Sequence, residues 1–448
     1  MIETLSPLAQ AGLELTRRWC AIPSVRGNEA AMRRQVGEIE DHLVRELGAT
    51  LVNRFAHDDG PPVIHGRIDV GAPRTVILYN MYDVMPAKGA GWSVDPFAGG
   101  IVDLDDIGPS FVGRGAENNK GPLAGMLCVL KHLLDAGSLR VNVELLLEGE
   151  EESGSGALRR YLLDPACPVR HGVGGLFPSF CEYGGGPPRL YLGFSGIAKG
   201  EVRVAGGAWG GPSAPIHSSN APWIANPASR LVEALARFGQ APTGMLQAIE
   251  LDAEAREIVE VLADQFDPEA ELRFRHASRF TRSADASGLL TQVLTTASAS
   301  ISSLATEPAD ADAVIPNAAF AKFELRCPPS LDPAALVADY RDRLAEAGLD
   351  GVEVLLADAY PGHRFARGSA GAQALIEAYC QTSRAPQIWP WAIGAAPGYA
   401  FARHADSFLI GGAGRGGNAH AADEFMTLDG YERFVNSIAV WLERMGRD

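Results

Sequence analysis

Two apolar runs, Val76-Ile77-Leu78-Tyr79 and Val143-Glu144-Leu145-Leu146-Leu147, flank a largely apolar stretch from Gly121 to Leu134, and this alternation constrains the fold more than any other feature. Short aliphatic runs read as buried strands, and a longer apolar segment between them reads as a helix. The pattern continues to about Ser195 and builds a sheet with helices on both faces. Ligands of such sheets sit beyond the carboxyl ends of the strands. Both strands deliver polar residues there: Asn80 to Asp83 after the first, Glu148 to Ser155 after the second.

From Ala198 the texture changes to Gly-rich turns, a charged helical stretch from Asp252 to Phe266, a strand from Ala319 to Arg326 and a helix near Pro333 to Ala347. Helices at Ala370 to Cys380 and Leu428 to Met445, around a strand at Ser407 to Ile410, then return to the first pattern. The chain therefore divides into residues 1–197, an inserted domain at 198–358, and 359–448, where the first domain is completed. A length of 448 residues is enough for two cores.

A formal charge of −16 argues against nucleic acid or an anionic membrane as partner, because both are bound through clustered Lys and Arg. No run approaches the about 18 apolar residues of a membrane helix. The opening residues alternate polar and apolar at helical spacing, unlike a secretory signal. Six cysteines without CxxC spacing (Cys20, Cys128, Cys167, Cys181, Cys327 and Cys380) suit reduced thiols. A cytoplasmic location is expected.

Singly, the polar clusters are unremarkable. An acidic run such as Glu148-Gly149-Glu150-Glu151-Glu152 is usually a solvated loop or the start of a helix. A loop histidine such as His420 or His217, and an arginine at a strand end such as Arg326, usually serve packing or the surface. Together, however, they stand in a recognisable order with Trp92-Ser93-Val94-Asp95-Pro96-Phe97, Gly113-Arg114-Gly115-Ala116 before Lys120-Gly121, His217-Ser218 with Asn226-Pro227, Ile315-Pro316-Asn317-Ala318, Arg326 with Pro329, and Ala419-His420-Ala421 with Glu424. In this order the chain resembles, across nearly its whole length, the zinc metallopeptidase family of aminoacylases, carnosinases, glutamate carboxypeptidases and succinyl-diaminopimelate desuccinylase.

The resemblance implies an α/β fold: a mixed-sheet zinc-peptidase-like catalytic domain with an inserted α+β lid and dimerisation domain. It implies a homodimer and a small-molecule substrate. In that family two zinc ions share a bridging Asp, and a Glu deprotonates the water between them. Carried over, Glu151 stands for the general base, Glu152 and His420 for ligands of one metal, His217 for a lid histidine that reaches the substrate oxyanion, and Arg326, with Asn226, for substrate contacts. An arginine suits a carboxylate because its planar fork donates two parallel hydrogen bonds.

The departures fall on the metal ligands. Met81 stands where the family has histidine, and Asn118 where it has the bridging Asp. The fifth ligand falls on Cys181 or Glu182, and a serine expected near Ala395 is absent. A thioether is a soft, neutral donor ill suited to Zn²⁺, and a neutral amide cannot bridge two cations. Glu152 and His420, with Asn118 as a weak third, leave at most one divalent metal such as zinc, with no metal as the alternative. Three classes of function stay open: a hydrolase of an amide or acyl bond in a small amino-acid-like carboxylate, a metal-independent enzyme using the pocket for acyl transfer, cyclisation, isomerisation or elimination, and a catalytically silent binding protein. The first two are favoured, since the polar residues other than metal ligands are still present.

Overall fold

Every residue of Thr75–Met81 after the first is buried, as is all of Asn142–Glu148. Such strands need apolar side chains on both faces, which explains their unbroken aliphatic runs; each fully buried aliphatic side chain contributes about 2 kcal/mol. The computed structural model describes residues 5–447 except 88, 241–242 and 310–311. These two strands pair in parallel at the centre of a six-stranded sheet, with Met81 opposite Glu148 at their carboxyl ends. Gly175–Pro178 and Phe408–Gly411 extend the sheet in parallel on one side, and Val63–Ile68 and Thr50–Phe55 extend it antiparallel on the other.

One face packs on the helices Pro7–Cys20, Lys120–Asp135, Ala370–Thr382 and Leu428–Met445. The opposite face carries a second core with Tyr79, Tyr161, Phe401 and Phe408. Local chemistry sets several helix starts: Ser6, Ser369 and Thr427 each accept a backbone N–H of the turn that follows. Lys120–Asp135 begins tightly against the preceding loop, where a Cβ on Gly121 would collide with the Ala116 carbonyl.

A second sheet is antiparallel throughout, in the order Met245–Ala248, Thr296–Glu307, Ala318–Cys327, Gly196–Ala205, Val352–Tyr360. The helices Pro227–Ala236 and Pro333–Glu346 cover one of its faces. The charged stretch expected as one helix from Asp252 to Phe266 is the helix Ala253–Ala263, capped by Asp252. Two further helices follow, Pro268–Phe274 and Ala286–Thr295. Among the described residues no helix is long and apolar enough to cross a membrane, and the six cysteines are free thiols.

Candidate functional site

The carboxyl ends of the two central strands open into a cleft of about 670 Å³. One wall comes from the six-stranded sheet and its loops and carries Met81, Asn118, Glu151, Glu152 and His420. The other comes from the five-stranded sheet and carries Lys199, Glu324, Arg326 and Tyr360. Residues as far apart in the chain as Met81 and His420 thus share one cavity.

The loop Glu148 to Ser155 takes its shape from Asp83, which is 3% exposed. Its carboxylate accepts the backbone N–H of Glu151 at 3.3 Å and of Glu152 at 3.1 Å. Burial, with Glu148 and Glu152 nearby, holds the Asp83 carboxyl well above the usual range. Asp83 therefore has a use without a histidine at position 81: it locks the turn that presents the two glutamates. The Met81 side chain is buried at the cleft floor.

Glu152 and His420 pair with each other, Nε2 to Oε2 at 3.0 Å. Asn118 and Asn119 both donate to Glu152 Oε1, at 3.2 and 3.3 Å. Burial works to raise the Glu152 carboxyl, but the bond from His420 and those from the amides outweigh it, so its titration is lowered. The same bond raises His420, whose backbone takes a left-handed φ of 65°. Glu424 organises this corner from beneath. It accepts from Arg114 at 2.6 Å and from the backbone N–H groups of Gly115, Glu117 and Asn118 at 3.0 to 3.2 Å.

Glu151 is different. Its carboxyl has no hydrogen bond or ion pair among the described residues. Burial, followed by the neighbouring charges of Glu152 and Asp83, raises it well above the ordinary carboxylate range, and only Lys199 opposes them.

On the other wall Glu324 accepts from Arg326 at 2.6 and 2.8 Å, and Lys199 lies 4.0 Å from the same carboxylate. Two cations against one carboxylate leave a net positive charge facing Glu151 and Glu152. Lys199, Glu324 and Tyr360 are site residues that sequence reasoning missed. The sequence did hold one signal: Glu324 and Arg326 are two apart in a strand and so project from the same face.

Four candidates lie outside the cleft lining. Glu182 is not free to ligate a metal in the cleft: Arg433 clamps its carboxylate at 2.6 and 3.1 Å, and Ser383 donates to it at 2.6 Å. Its alternative, Cys181, is buried with its thiol pushed up to about 12 by burial. Asn226 caps the helix Pro227–Ala236, accepting the Ala228 N–H at 2.8 Å, and does not line the cleft. His217 is exposed, with Nδ1 2.9 Å from Ser219 Oγ, and is also outside the cleft of its own chain. Ala395 lines the cleft where a serine was expected.

A profile of the family described as Peptidase family M20/M25/M40 matches residues 77–444, and the chain belongs to that family. The Cys-Gly metallodipeptidase of Schizosaccharomyces pombe is 32% identical over 223 residues, which is 45% of this chain and 43% of that protein. The human Beta-Ala-His dipeptidase is 39% identical over 101 residues, 22% of this chain and 19% of that protein. The chain thus matches under half the length of these curated relatives. Among solved structures, an M20 family metallo-carboxypeptidase from Sulfolobus solfataricus superposes with a TM-score of 0.83 at 25% identity, covering 97% of this chain and 99% of that one. Human carnosine dipeptidase 1 gives 0.79 at 19% identity, covering 98% and 96%.

The family implies divalent metal, and the donors present do not fit its two-metal centre. Met81 offers only a thioether, Asn118 turns its amide N–H toward Glu152 and His420, and those two residues satisfy each other. Among the described residues no three His, Cys, Asp or Glu side chains come together to hold a metal ion.

Proposed function

We propose that this chain acts on the amide bond of a small dipeptide-like or N-acyl amino acid substrate, in the cleft between the two sheets. The observation that carries the reading is the position of Glu151: an unpaired carboxyl in a cleft whose opposite wall is net cationic. Arg326 and Lys199 exceed Glu324 in charge and so hold the substrate carboxylate there. The scissile amide then faces Glu151, which moves a proton between the attacking group and the leaving amine. Kinship with dipeptidases supports the substrate class.

Residues 198–358 act as a lid in this reading, closing over the substrate and excluding water. His217, outside its own cleft, supplies an oxyanion donor to the cleft of a second copy. A homodimer is supported by Ile301 and Leu304, which are 38% and 62% exposed on the strand Thr296–Glu307. At most one divalent metal is held, at Glu152 and His420. A second reading, metal-independent acyl transfer, cyclisation, isomerisation or elimination on a similar substrate, is favoured by the Met81 thioether and the Glu152–His420 pair.

The test is a panel of dipeptides and N-acyl amino acids followed by mass spectrometry, with and without added zinc, manganese or cobalt. Amino acid released together with the free acid of the acyl part, by wild type and not by Glu151→Gln, supports hydrolysis, since both carry the elements of one water. A product of unchanged mass, one reduced by a small leaving group, or one with the acyl part joined to a second amine supports the second reading. No turnover of any kind rejects both.

A further inference from the structure

Beside the cleft lies a second cavity of about 300 Å³ that none of the roles above uses. The two share Arg189, Tyr191, Arg275 and Ile393 and so adjoin along these residues. Its apolar lining includes Phe266, Leu290 and Val293 from the helical segment between the lid strands, and Trp389 from the strand Gln387–Trp389. Leu290 and Trp389 are 0% and 4% exposed.

Thr243, Thr281, Gln292, Thr296 and Ser298 line it as well, and its charged groups meet at the wall shared with the cleft. At the shared wall Glu271 accepts from Arg189 at 2.5 Å and from Arg275 at 2.8 Å, so two guanidinium groups meet one carboxylate and a positive charge is left over. Inside, the Trp389 indole N–H is buried without an acceptor. The Arg189 guanidinium lies 5.1 Å from the Trp389 ring centroid, tying the charged mouth to the apolar interior.

We infer that this cavity is the side-chain subsite of the substrate and selects an aromatic or long aliphatic residue. Burying such a group against Phe266 and Val293 supplies affinity in proportion to apolar area. A carboxylate on the same ligand meets Arg189 and Arg275 at the shared wall. The inference rests on the dipeptide-like reading for its substrate and on the cavity alone for its ligand.

Two measurements separate those dependences. First, 3-phenylpropionate, an apolar ring with one carboxylate and no bond to hydrolyse, is titrated calorimetrically into wild type, Val293→Trp and Trp389→Phe. Val293 is 44% exposed, so a larger residue there fills the cavity mouth without overpacking the core. The expected result is saturable binding by wild type, weakened at least tenfold by Val293→Trp and severalfold by Trp389→Phe. Second, kcat/KM is compared for Phe-Gly and Gly-Gly. Wild type is expected to favour Phe-Gly at least tenfold, and Val293→Trp to lower that ratio at least tenfold through KM. Binding that obeys these variants while no dipeptide is hydrolysed upholds the subsite and rejects the hydrolytic reading. Absent binding, or binding and selectivity indifferent to both variants, overturns the subsite whatever the enzyme hydrolyses.

Discussion

Glu151 and Glu182 both follow strands of the central sheet, and they stand at opposite extremes of what a glutamate can do. Glu182 is 2% exposed and gripped by Arg433 and Ser383. Burial alone would raise its carboxyl, but those bonds outweigh it and hold it below the usual range. Glu151 has no such partner and is raised well above that range. A carboxylate paired with a guanidinium in the interior is a fastener, because its charge is already spent. One left facing a cleft among other acids keeps its proton available for chemistry.

Exchanging or removing the partners tests that contrast. The largest effect is expected at Glu151. Glu151→Gln keeps the shape and removes the acid, so turnover falls by about 10²–10⁴-fold, while the melting temperature holds because the amide replaces a carboxyl that no partner anchors. A variant that melts earlier and keeps its activity would make Glu151 a fastener too. Arg433→Met next leaves Glu182 buried and unpaired and lowers the unfolding free energy by about 3 kcal/mol in a denaturant titration. Ligand affinity in the cleft should not follow it, since Glu182 and Arg433 lie outside the cleft lining.

Met81→His with Asn118→Asp puts an imidazole and a carboxylate back beside Glu152, His420 and Asp83. The double variant is expected to hold at least one equivalent of zinc more than wild type through gel filtration, read by plasma emission. An unchanged zinc content would show that the Glu182–Arg433 clamp withholds a ligand the centre needs. The smallest effect is in acid. The Glu182 carboxyl is lowered in the folded chain, so its contribution is complete above the unfolded value near 4.5 and lost as pH falls through the folded one. In Arg433→Met burial raises the unpaired carboxyl instead, so the stability gap should be widest near neutral pH and narrow steadily as the pH falls, first as the variant's Glu182 takes up its proton and then as the wild-type one does.

Much of this was readable in advance. The unbroken aliphatic runs marked the two central strands, because only strands buried on both faces need them, and the expected helix Leu428 to Met445 is the observed one. Glu151, Glu152, Asn118, Met81, Arg326 and His420 were singled out by order along the chain, and all line one cleft. The failures share a cause. Whether Glu182 faces a cavity or an arginine depends on Arg433, 251 residues away, and no local pattern reports so distant a partner. Asn226 before Pro227 carries an equally good local explanation, as a helix cap, and the cap is what the structure shows. The apolar side cavity was invisible for the same reason, since Arg189, Leu290 and Trp389 come from three separate segments.

A calorimetric zinc titration of chelator-treated wild-type protein tests most directly the proposal that this cleft works with Glu151 and at most one metal. Because Met81 offers the cleft only a thioether and Asn118 only a neutral amide, the titration should show no more than one tight equivalent per chain. Two tight equivalents would contradict the account and require a ligand set other than the one assembled around Glu152 and His420.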